Sequence, residues 1–372
     1  MNRWTPAVCV LATVLTLVSA VPVTPAWADA VRDDQWYLAY LDLARVHQIG
    51  EGDGVTVAII DSGINGNHPD LVGNVLPGVS VLPGHPGNGW EDVDDHGTRM
   101  VGLIAGHGHN GGRDGILGIA PKVKVIPVQV KSGNVGEKID DVGDGIDAAV
   151  QHGAKVISIS LAGAVSSRTR EAVARAQQAD VVIVAGVGNA PGDTQVSWPA
   201  RYPGVVAVGA VDRQGNHAAF SVTGPEVVVS APGVDIESVT TGNWYATGSG
   251  TSDSTAITAG VVALIRAKFP KMSATEVIHR LTATATDKGP PGRDDEYGYG
   301  IVNPYAALTA DVPPLDTSAS PSATPSTAGQ SQGSPPRNSS TAGLVILLAL
   351  VAAAVLATII TIVAIARRRT AA

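Results

Sequence analysis

Short apolar runs recur along the middle of the chain, each bounded by glycine, aspartate or proline. They are rich in valine, isoleucine and alanine, and their apolar residues follow one another without regular alternation. Runs of this kind are typical of strands whose two faces are both covered. We therefore predict buried strands at residues 55–60, 123–130, 155–161, 181–187 and 205–211.

Segments with helical spacing lie between and after these runs. One apolar face is formed by Ile139, Val142, Ile146, Ala149 and Val150. Further helices are predicted at 170–179, at 251–269 and, from a capping box, at 273–281. Strands that alternate with helices are joined by right-handed crossovers into a parallel sheet. The pattern thus predicts an α/β fold, with a mostly parallel central sheet and helices on both faces.

The two ends of the chain have the patterns of membrane-targeting segments. Residues 1–28 contain an apolar run and a small-x-small site, which predicts a signal peptide, with an uncleaved anchor as the alternative. Residues 343–366 carry no charge and are long enough to cross a bilayer, which predicts one C-terminal transmembrane helix. The basic tail, 367–372, then lies in the cytoplasm, and the body of the protein lies on the other side of the cell membrane.

The remainder of the chain divides into three parts. Residues 54–310 predict a single α/β domain, and 311–342 predict a flexible linker, because a stretch dominated by serine, threonine, proline and glycine cannot form a core. Residues 29–53 form an N-terminal extension that is too short to fold alone. We expect residues 29–50 to wrap the domain in an ordered form. The apolar residues available for this contact are Trp36, Leu38, Leu41, Leu43 and Val46.

Charge and composition exclude several classes of function. The chain has 33 acidic and 25 basic side chains and a net charge of −8, whereas nucleic-acid binding needs clustered lysine and arginine, so no nucleic-acid partner is predicted. The single cysteine, Cys9, rules out an intramolecular disulfide and a thiolate metal site. No cofactor or metal is predicted. The acidic clusters at 92–95 and 294–296 could bind a structural calcium ion, with solvated loop charge as the alternative.

Four polar residues stand where predicted strands end or helices begin. Asp61 closes the first strand and Asn189 follows the fourth, while His96 precedes an apolar helical stretch and Ser252 lies at the N-terminus of the helix predicted at 251–269. The carboxyl ends of parallel strands meet at one edge of a sheet, where α/β proteins build their sites. Taken singly, each residue also has a structural interpretation, such as a helix-capping serine or a turn asparagine.

Together, these four residues supply the parts of one mechanism. A serine hydroxyl becomes a nucleophile when a base takes its proton, and the base needs a carboxylate to fix its tautomer. The tetrahedral intermediate then needs hydrogen-bond donors for its oxygen. The sequence therefore predicts a hydrolase that forms an acyl-enzyme through Asp61, His96 and Ser252.

The chain resembles the subtilisin-like serine peptidases from about residue 54 to residue 308. The resemblance is carried by Asp61-Ser62-Gly63-Ile64, His96-Gly97-Thr98, Ser160-Leu161-Ala162-Gly163, Gly188-Asn189, Gly250-Thr251-Ser252 and Gly298-Tyr299-Gly300-Ile301-Val302-Asn303. The catalytic residues also follow the chain order of subtilisin, aspartate, histidine and then serine.

This resemblance implies cleavage of peptide bonds. Ser252 attacks the carbonyl, His96 acts as base and then as acid, Asp61 orients His96, and Asn189 stabilises the oxyanion together with the Ser252 backbone N–H. Protein or peptide substrates are implied to bind beside Gly188 and to pair with a neighbouring segment as an added strand. That segment consists of Ser160, Leu161, Ala162 and Gly163.

The order of the segments along the chain makes the resemblance more specific. An exported subtilisin-like domain with a proline-, serine- and threonine-rich linker, one C-terminal span and a basic tail is similar to the mycosins, the membrane-anchored peptidases that accompany type VII secretion. This implies components of a secretion complex as partners and their substrates as targets. A non-catalytic membrane scaffold and a general cell-surface degradative protease are the alternatives.

Four positions depart from the usual family pattern. Arg99 and Met100 replace a histidine and a valine, and we expect them to affect packing only. Ala162 replaces a glycine, so the adjacent substrate pocket is expected to be narrower. Asp253 replaces an apolar residue after Ser252, and we expect its charge to favour protonated His96 and to shift activity to higher pH. Alternatively, Asp253 faces solvent or binds a partner.

Overall fold

The structure is a computed structural model and describes residues 27–131 and 142–315. The strands are β1 (Thr56–Asp61), β2 (Val79–Ser80), β3 (His107–His109), β4 (Asp114–Leu117), β5 (Lys124–Gln129), β6 (Val156–Ile159), β7 (Val182–Gly186), β8 (Val206–Val211), β9 (Val227–Pro232), β10 (Ile236–Val239) and β11 (Tyr245–Gly248). The helices are α1 (Trp27–Asp34), α2 (Trp36–Tyr40), α3 (Leu43–Val46), α4 (His96–Ala105), α5 (Val142–Gln151), α6 (Ser167–Gln178), α7 (Thr251–Lys268), α8 (Ala274–Ala283) and α9 (Pro304–Thr309).

A parallel sheet in the order β2-β5-β1-β6-β7-β8-β9 lies at the centre of the fold. The five predicted strands are confirmed as β1, β5, β6, β7 and β8. The two strands at the edges, β2 and β9, are absent from the sequence prediction. Strand β2 spans only two residues, and β9 ends in Ser-Ala-Pro, so neither gives a long apolar run.

Alternate residues along the strands face two different cores, which explains the unbroken apolar runs. In β1, Val57 and Ile59 face the core that α4 and α7 cover, whereas Ala58 and Ile60 face the core that α5 and α6 cover. The sheet is therefore covered on both faces, as the α/β prediction requires.

The predicted helices are confirmed as α5, α6, α7 and α8, although Ile139 lies outside the described residues. Helix α6 begins three residues earlier than predicted, because the Ser166 hydroxyl accepts a hydrogen bond from the Thr169 N–H and caps it. The capping box between Ser273 and Glu276 is present at the start of α8. Two antiparallel hairpins, β3–β4 and β10–β11, have no counterpart in the sequence prediction.

The N-terminal extension packs against the domain as predicted. Of the expected contact residues, Leu38 is half-buried and the others are buried in the same core as α7. The indole N–H of Trp36 donates to the carbonyls of Val234 and Asp235, at 3.1 and 3.0 Å. The described residues up to Leu315 thus form one compact unit that includes the extension.

Arg32 also fastens this extension to the domain. It donates from Nε to the Gly115 carbonyl at 2.8 Å, and from its Nη atoms to the carbonyls of Asp114 and Gly112, each at 3.4 Å.

Because Asp114 and Gly115 are buried, we expect Arg32→Ala to lower the free energy of unfolding by about 1–3 kcal/mol. Thermal unfolding of the two proteins measures this. Arg168→Ala is the control, because its pair with Asp144 is exposed and should contribute no more than about 0.5 kcal/mol. Equal melting temperatures of the two variants would contradict the prediction.

Several predicted segments fall outside the described residues. These are most of the signal peptide, the linker beyond Leu315, the predicted span 343–366 and the tail 367–372. Within 27–131 and 142–315, no helix combines the length and the apolar character needed to cross a membrane.

Candidate active site

The site is built around the end of β1 and the start of α4. Asp61, the last residue of β1, is 1 % exposed, and its carboxylate faces the imidazole of His96, the first residue of α4. The His96 Nδ1 atom lies 2.8 and 2.9 Å from the two carboxylate oxygens. Because a carboxylate only accepts hydrogen bonds, Nδ1 donates and Nε2 is left free to accept a proton.

Small and polar neighbours hold His96 in this position. A methyl group on Gly97 would overlap the Gly63 carbonyl oxygen, so only glycine lets α4 approach β1 this closely. The Gly97 N–H donates to the Ser62 hydroxyl at 3.0 Å. On the other side, the Asp95 carboxylate accepts from the N–H and hydroxyl of Thr241, which ties the start of α4 to the turn of the β10–β11 hairpin.

Ser252 is the second residue of α7, directly beside the end of β6. Its hydroxyl donates to the Ser160 carbonyl at 3.3 Å, and the Ser160 hydroxyl donates to the Ser252 carbonyl at 3.2 Å. To give its proton to His96, the Ser252 hydroxyl must therefore turn away from Ser160. The start of α7 also offers the Ser252 N–H and the positive end of the helix dipole, which favour a developing anion.

Asn189 is oriented by α7. Its side-chain oxygen accepts from the Thr251 N–H at 3.0 Å, which leaves its Nδ2 group to donate elsewhere. A methyl group placed on Gly250 would lie 3.6 Å from Asp253 Oδ2, 3.7 Å from the Ser252 N atom and 3.9 Å from Asn189 Nδ2. Two N–H donors, the kind of group that stabilises an oxyanion, therefore border the same small space as a carboxylate oxygen that would oppose it.

The segment predicted to pair with substrate follows β6. Ala162 is exposed, and Ser160 and Leu161 are half-buried, so these residues border open space. The Gly163 N–H already donates to the Trp198 carbonyl at 2.9 Å. Nearby, Gly188 has a φ of +105°, and a side chain there would meet Ser197 and Asp193. Pairing of this segment with substrate stays a prediction, and the Gly163 N–H is already engaged within the chain.

Three carboxylates determine the pKa of His96. Burial alone would lower this pKa, but the charge and hydrogen bond of Asp61, with smaller effects from Asp253 and Asp94, raise it to about 9. The sequence-based expectation for the direction of the Asp253 effect agrees with this result. The protonated imidazole is thus favoured well above the usual pH range of histidine.

The environment of Asp253 contradicts one alternative that the sequence left open, exposure to solvent, whereas binding of a partner stays a prediction. The Asp253 side chain is 5 % exposed, so it does not face solvent, and its Oδ1 atom lies 3.0 Å from Nη2 of Arg99. Burial raises the pKa of the Asp253 carboxyl, while Arg99 and His96 oppose this rise. The expectation that Arg99 affects packing only is therefore wrong. Sequence reasoning missed this pair because its members stand 154 positions apart.

The acidic clusters considered for calcium make hydrogen bonds and ion pairs within the chain. Asp92 accepts from Ser62 and Thr98, and Asp94 pairs with Lys131. In the second cluster, the Asp294 carboxylate accepts hydrogen bonds from the backbone N–H groups of Glu296 and Tyr297. Among the described residues, no group of three or more potential ligands is placed to hold a metal ion.

Comparison with known protein families and sequences gives one consistent result. The subtilase family matches residues 52–300. A thermostable alkaline protease of Halalkalibacterium halodurans is 37 % identical over 270 residues, which are 72 % of this chain and 72 % of that protein. Subtilisin Savinase of Lederbergia lenta is 36 % identical over 274 residues, which are 73 % of this chain and 97 % of that protein.

Solved structures give similar matches. MycP1 with its N-terminal propeptide removed is 30 % identical with a TM-score of 0.67, and the match covers 75 % of this chain and 98 % of that one. MycP1 from Mycobacterium smegmatis is 28 % identical with a TM-score of 0.66, and the match covers 75 % and 85 %. A further match, 31 % identical with a TM-score of 0.65 over 74 % and 88 % of the two chains, is to a MycP1 described as an essential component of the type VII (ESX-1) secretion system.

Proposed function

The chain belongs to the subtilase family and is a serine endopeptidase of the mycosin type, and from this premise we propose that Asp61, His96 and Ser252 form its catalytic triad. The observation that carries the proposal is the pair of Nδ1–carboxylate contacts between His96 and Asp61, at 2.8 and 2.9 Å. These contacts leave His96 Nε2 as the base for the Ser252 hydroxyl.

The proposed reaction has two halves. In the first, Ser252 Oγ attacks the peptide carbonyl carbon while His96 Nε2 takes the hydroxyl proton. The oxygen becomes negative between the Ser252 N–H and Asn189 Nδ2, and His96 then gives its proton to the leaving amine. In the second half, water gives a proton to His96 and attacks the ester carbon, and the proton returns to Ser252 as the acid product leaves.

Labelling with a fluorophosphonate probe tests the triad, because the probe reacts only with an activated serine. We expect the purified full-length protein to label, and Ser252→Ala and His96→Ala to lose the label while they keep the thermal unfolding transition of the parent. A folded parent protein that stays unlabelled would favour a non-catalytic scaffold instead.

We also propose that the protein is anchored in the cell membrane through residues 343–366, with its catalytic unit outside and residues 367–372 in the cytoplasm. The absence of charge in 343–366 and the three arginines that follow support this. Carbonate extraction should leave the protein in the membrane fraction. Protease added to intact cells should degrade the catalytic unit and spare an epitope at the C-terminus. Release by carbonate would contradict the anchor.

The physiological role that we propose is processing of substrates of a type VII secretion system, or stabilisation of that system, because two of the matched MycP1 structures are described as belonging to such a system. The partners would be secretion components. Secretion in a deletion strain that carries Ser252→Ala distinguishes the alternatives. Full restoration would favour the scaffold, and normal secretion without the whole gene would favour a general degradative protease.

The pKa of His96 gives a prediction for the pH dependence. The neutral imidazole is the active base, so activity is present above its pKa and is lost as the pH falls through it. With that pKa raised to about 9, we expect kcat/KM for a peptide substrate to rise with pH until about pH 9. A pH profile of kcat/KM measures this, since it reports ionisation of the free enzyme. A profile that is already level at pH 7 would contradict the prediction.

A further inference from the structure

A buried ion pair connects the helix of the base to the helix of the nucleophile. Arg99 lies one turn after His96 on α4, and Asp253 directly follows Ser252 on α7. Their closest nitrogen and oxygen atoms are 3.0 Å apart, and the side chains are 14 % and 5 % exposed. Either charge alone would be buried without an opposite charge in contact with it, so the two residues depend on each other.

The Arg99 guanidinium has further partners that fix its position. It donates to the Ala246 carbonyl at 2.6 Å and to the Ile236 carbonyl at 3.4 Å, on the two strands of the β10–β11 hairpin. The Arg99 carbonyl in turn accepts from the Ser238 hydroxyl at 2.7 Å. A methyl group on Gly248 would overlap the guanidinium, so the surrounding space is tightly fitted. One side chain thus connects α4, the hairpin and α7.

Three carboxylates among the described residues raise the pKa of His96. Asp253 is the only one of these three that lies on α7. Asp61, on β1, is bound directly to the imidazole, and Asp94, in the loop before α4, is paired with Lys131. Two further carboxylates precede α4. Asp92 is hydrogen-bonded to Ser62 and Thr98, and Asp95 to Thr241. Arg99 is therefore the cation placed to balance Asp253.

We propose, building on the proposed triad, that Arg99 and Asp253 are positioning residues that act as a pair, holding α4 against α7 and balancing the charge beside His96. The pair acts on the position of the imidazole and on the electrostatic field around it. Geometry and charge make separate predictions, so they can be tested separately.

The charge prediction concerns Asp253→Asn and Arg99→Gln. Loss of the Asp253 charge leaves Arg99 unbalanced and should lower the pKa of His96 by about one unit, whereas loss of the Arg99 charge should raise it by about one unit. The double variant should return towards the parent value. It also buries no unpaired charge, so it carries the test if Arg99→Gln folds poorly. The pKa is read from the imidazole resonance of His96 by NMR, assigned as the signal that His96→Gln lacks.

The geometric prediction concerns Arg99→Lys, which keeps the charge and loses the planar fork that reaches three partners. Arg99→Lys should leave the acid-limb pKa of the kcat/KM pH profile unchanged. It should lower kcat about tenfold with little change in KM, because a misplaced catalytic group slows the reaction. Asp147→Asn and Arg175→Gln are the controls, since they neutralise an ion pair between α5 and α6, and they should change neither quantity.

The proposal is supported by opposite pKa shifts in the two charge variants. It is overturned if both variants shift the pKa of His96 in the same direction, or by no more than the controls. The titration needs no activity, so it decides this question even if the parent protein fails to label with fluorophosphonate. That failure would instead count against the proposed triad.

Discussion

Replacement of Ser252 by alanine is expected to lower kcat for a peptide substrate by about 10⁶-fold, the size typical of serine peptidases that lose their nucleophile. The variant cannot form the acyl-enzyme, so water must attack the peptide carbonyl directly. The remaining oxyanion donors can then only polarise that carbonyl. Substrate binding should change little, since the hydroxyl contributes one hydrogen bond, to the Ser160 carbonyl, in the resting site. Rates of the purified parent and variant at pH 9 measure the loss.

Ser254→Ala is the matched control for this change. Ser254 lies on the same helix and is buried, but its hydroxyl donates to the Ala231 and Pro232 carbonyls, at 3.0 and 3.1 Å. Its removal should cost about 1 kcal/mol of unfolding free energy and leave kcat within a few fold. If Ser252→Ala kept a rate similar to that of Ser254→Ala, another nucleophile would have to carry the reaction.

The sequence indicates the candidate catalytic residues because each stands at a place that local pattern defines. Asp61 ends an apolar strand, His96 starts an apolar helix, and Ser252 is the second residue of the buried helix α7. Parallel strands bring such positions to one edge whatever the details of packing. The structure adds the distances, above all the Asp61–His96 contacts and the two donors around Gly250.

The contacts that the sequence did not reveal join residues that are far apart along the chain. Arg99 and Asp253 meet only because α4 packs beside α7, and neither position shows its partner in the local pattern. The β10–β11 hairpin escaped prediction for another reason. Its strands have four residues each, too few for a clear alternation. Local patterns thus predicted most of the central sheet and its helices and indicated the candidate reactive residues, whereas the electrostatic environment of the site required the packed fold.

The second large effect is expected from Asp61→Asn, which should lower kcat about 10⁴-fold. Asparagine fits the space of aspartate but presents an N–H group where the carboxylate accepts. If that amide N–H faces His96 Nδ1, the ring must carry its proton on Nε2, where it cannot accept the proton of Ser252. The fold should survive, since the oxygen of the introduced amide can still accept from the Ser62 N–H, which lies 2.8 Å from Asp61 Oδ1 in the parent protein.

Asp94→Asn separates this tautomer effect from a simple change of charge. Asp94 also raises the pKa of His96, but it binds the His96 backbone N–H, at 3.2 Å, and not the ring. Asp94→Asn should lower the pKa of the acid limb of the pH–rate profile and preserve kcat at pH 9. Asp61→Asn should stay slow at every pH, because no pH restores a tautomer that hydrogen bonding disfavours. A full recovery of kcat in Asp61→Asn at high pH would mean that Asp61 acts by its charge alone. The position of His96 on α4 and the close contact of Gly97 with Gly63 would then orient the imidazole.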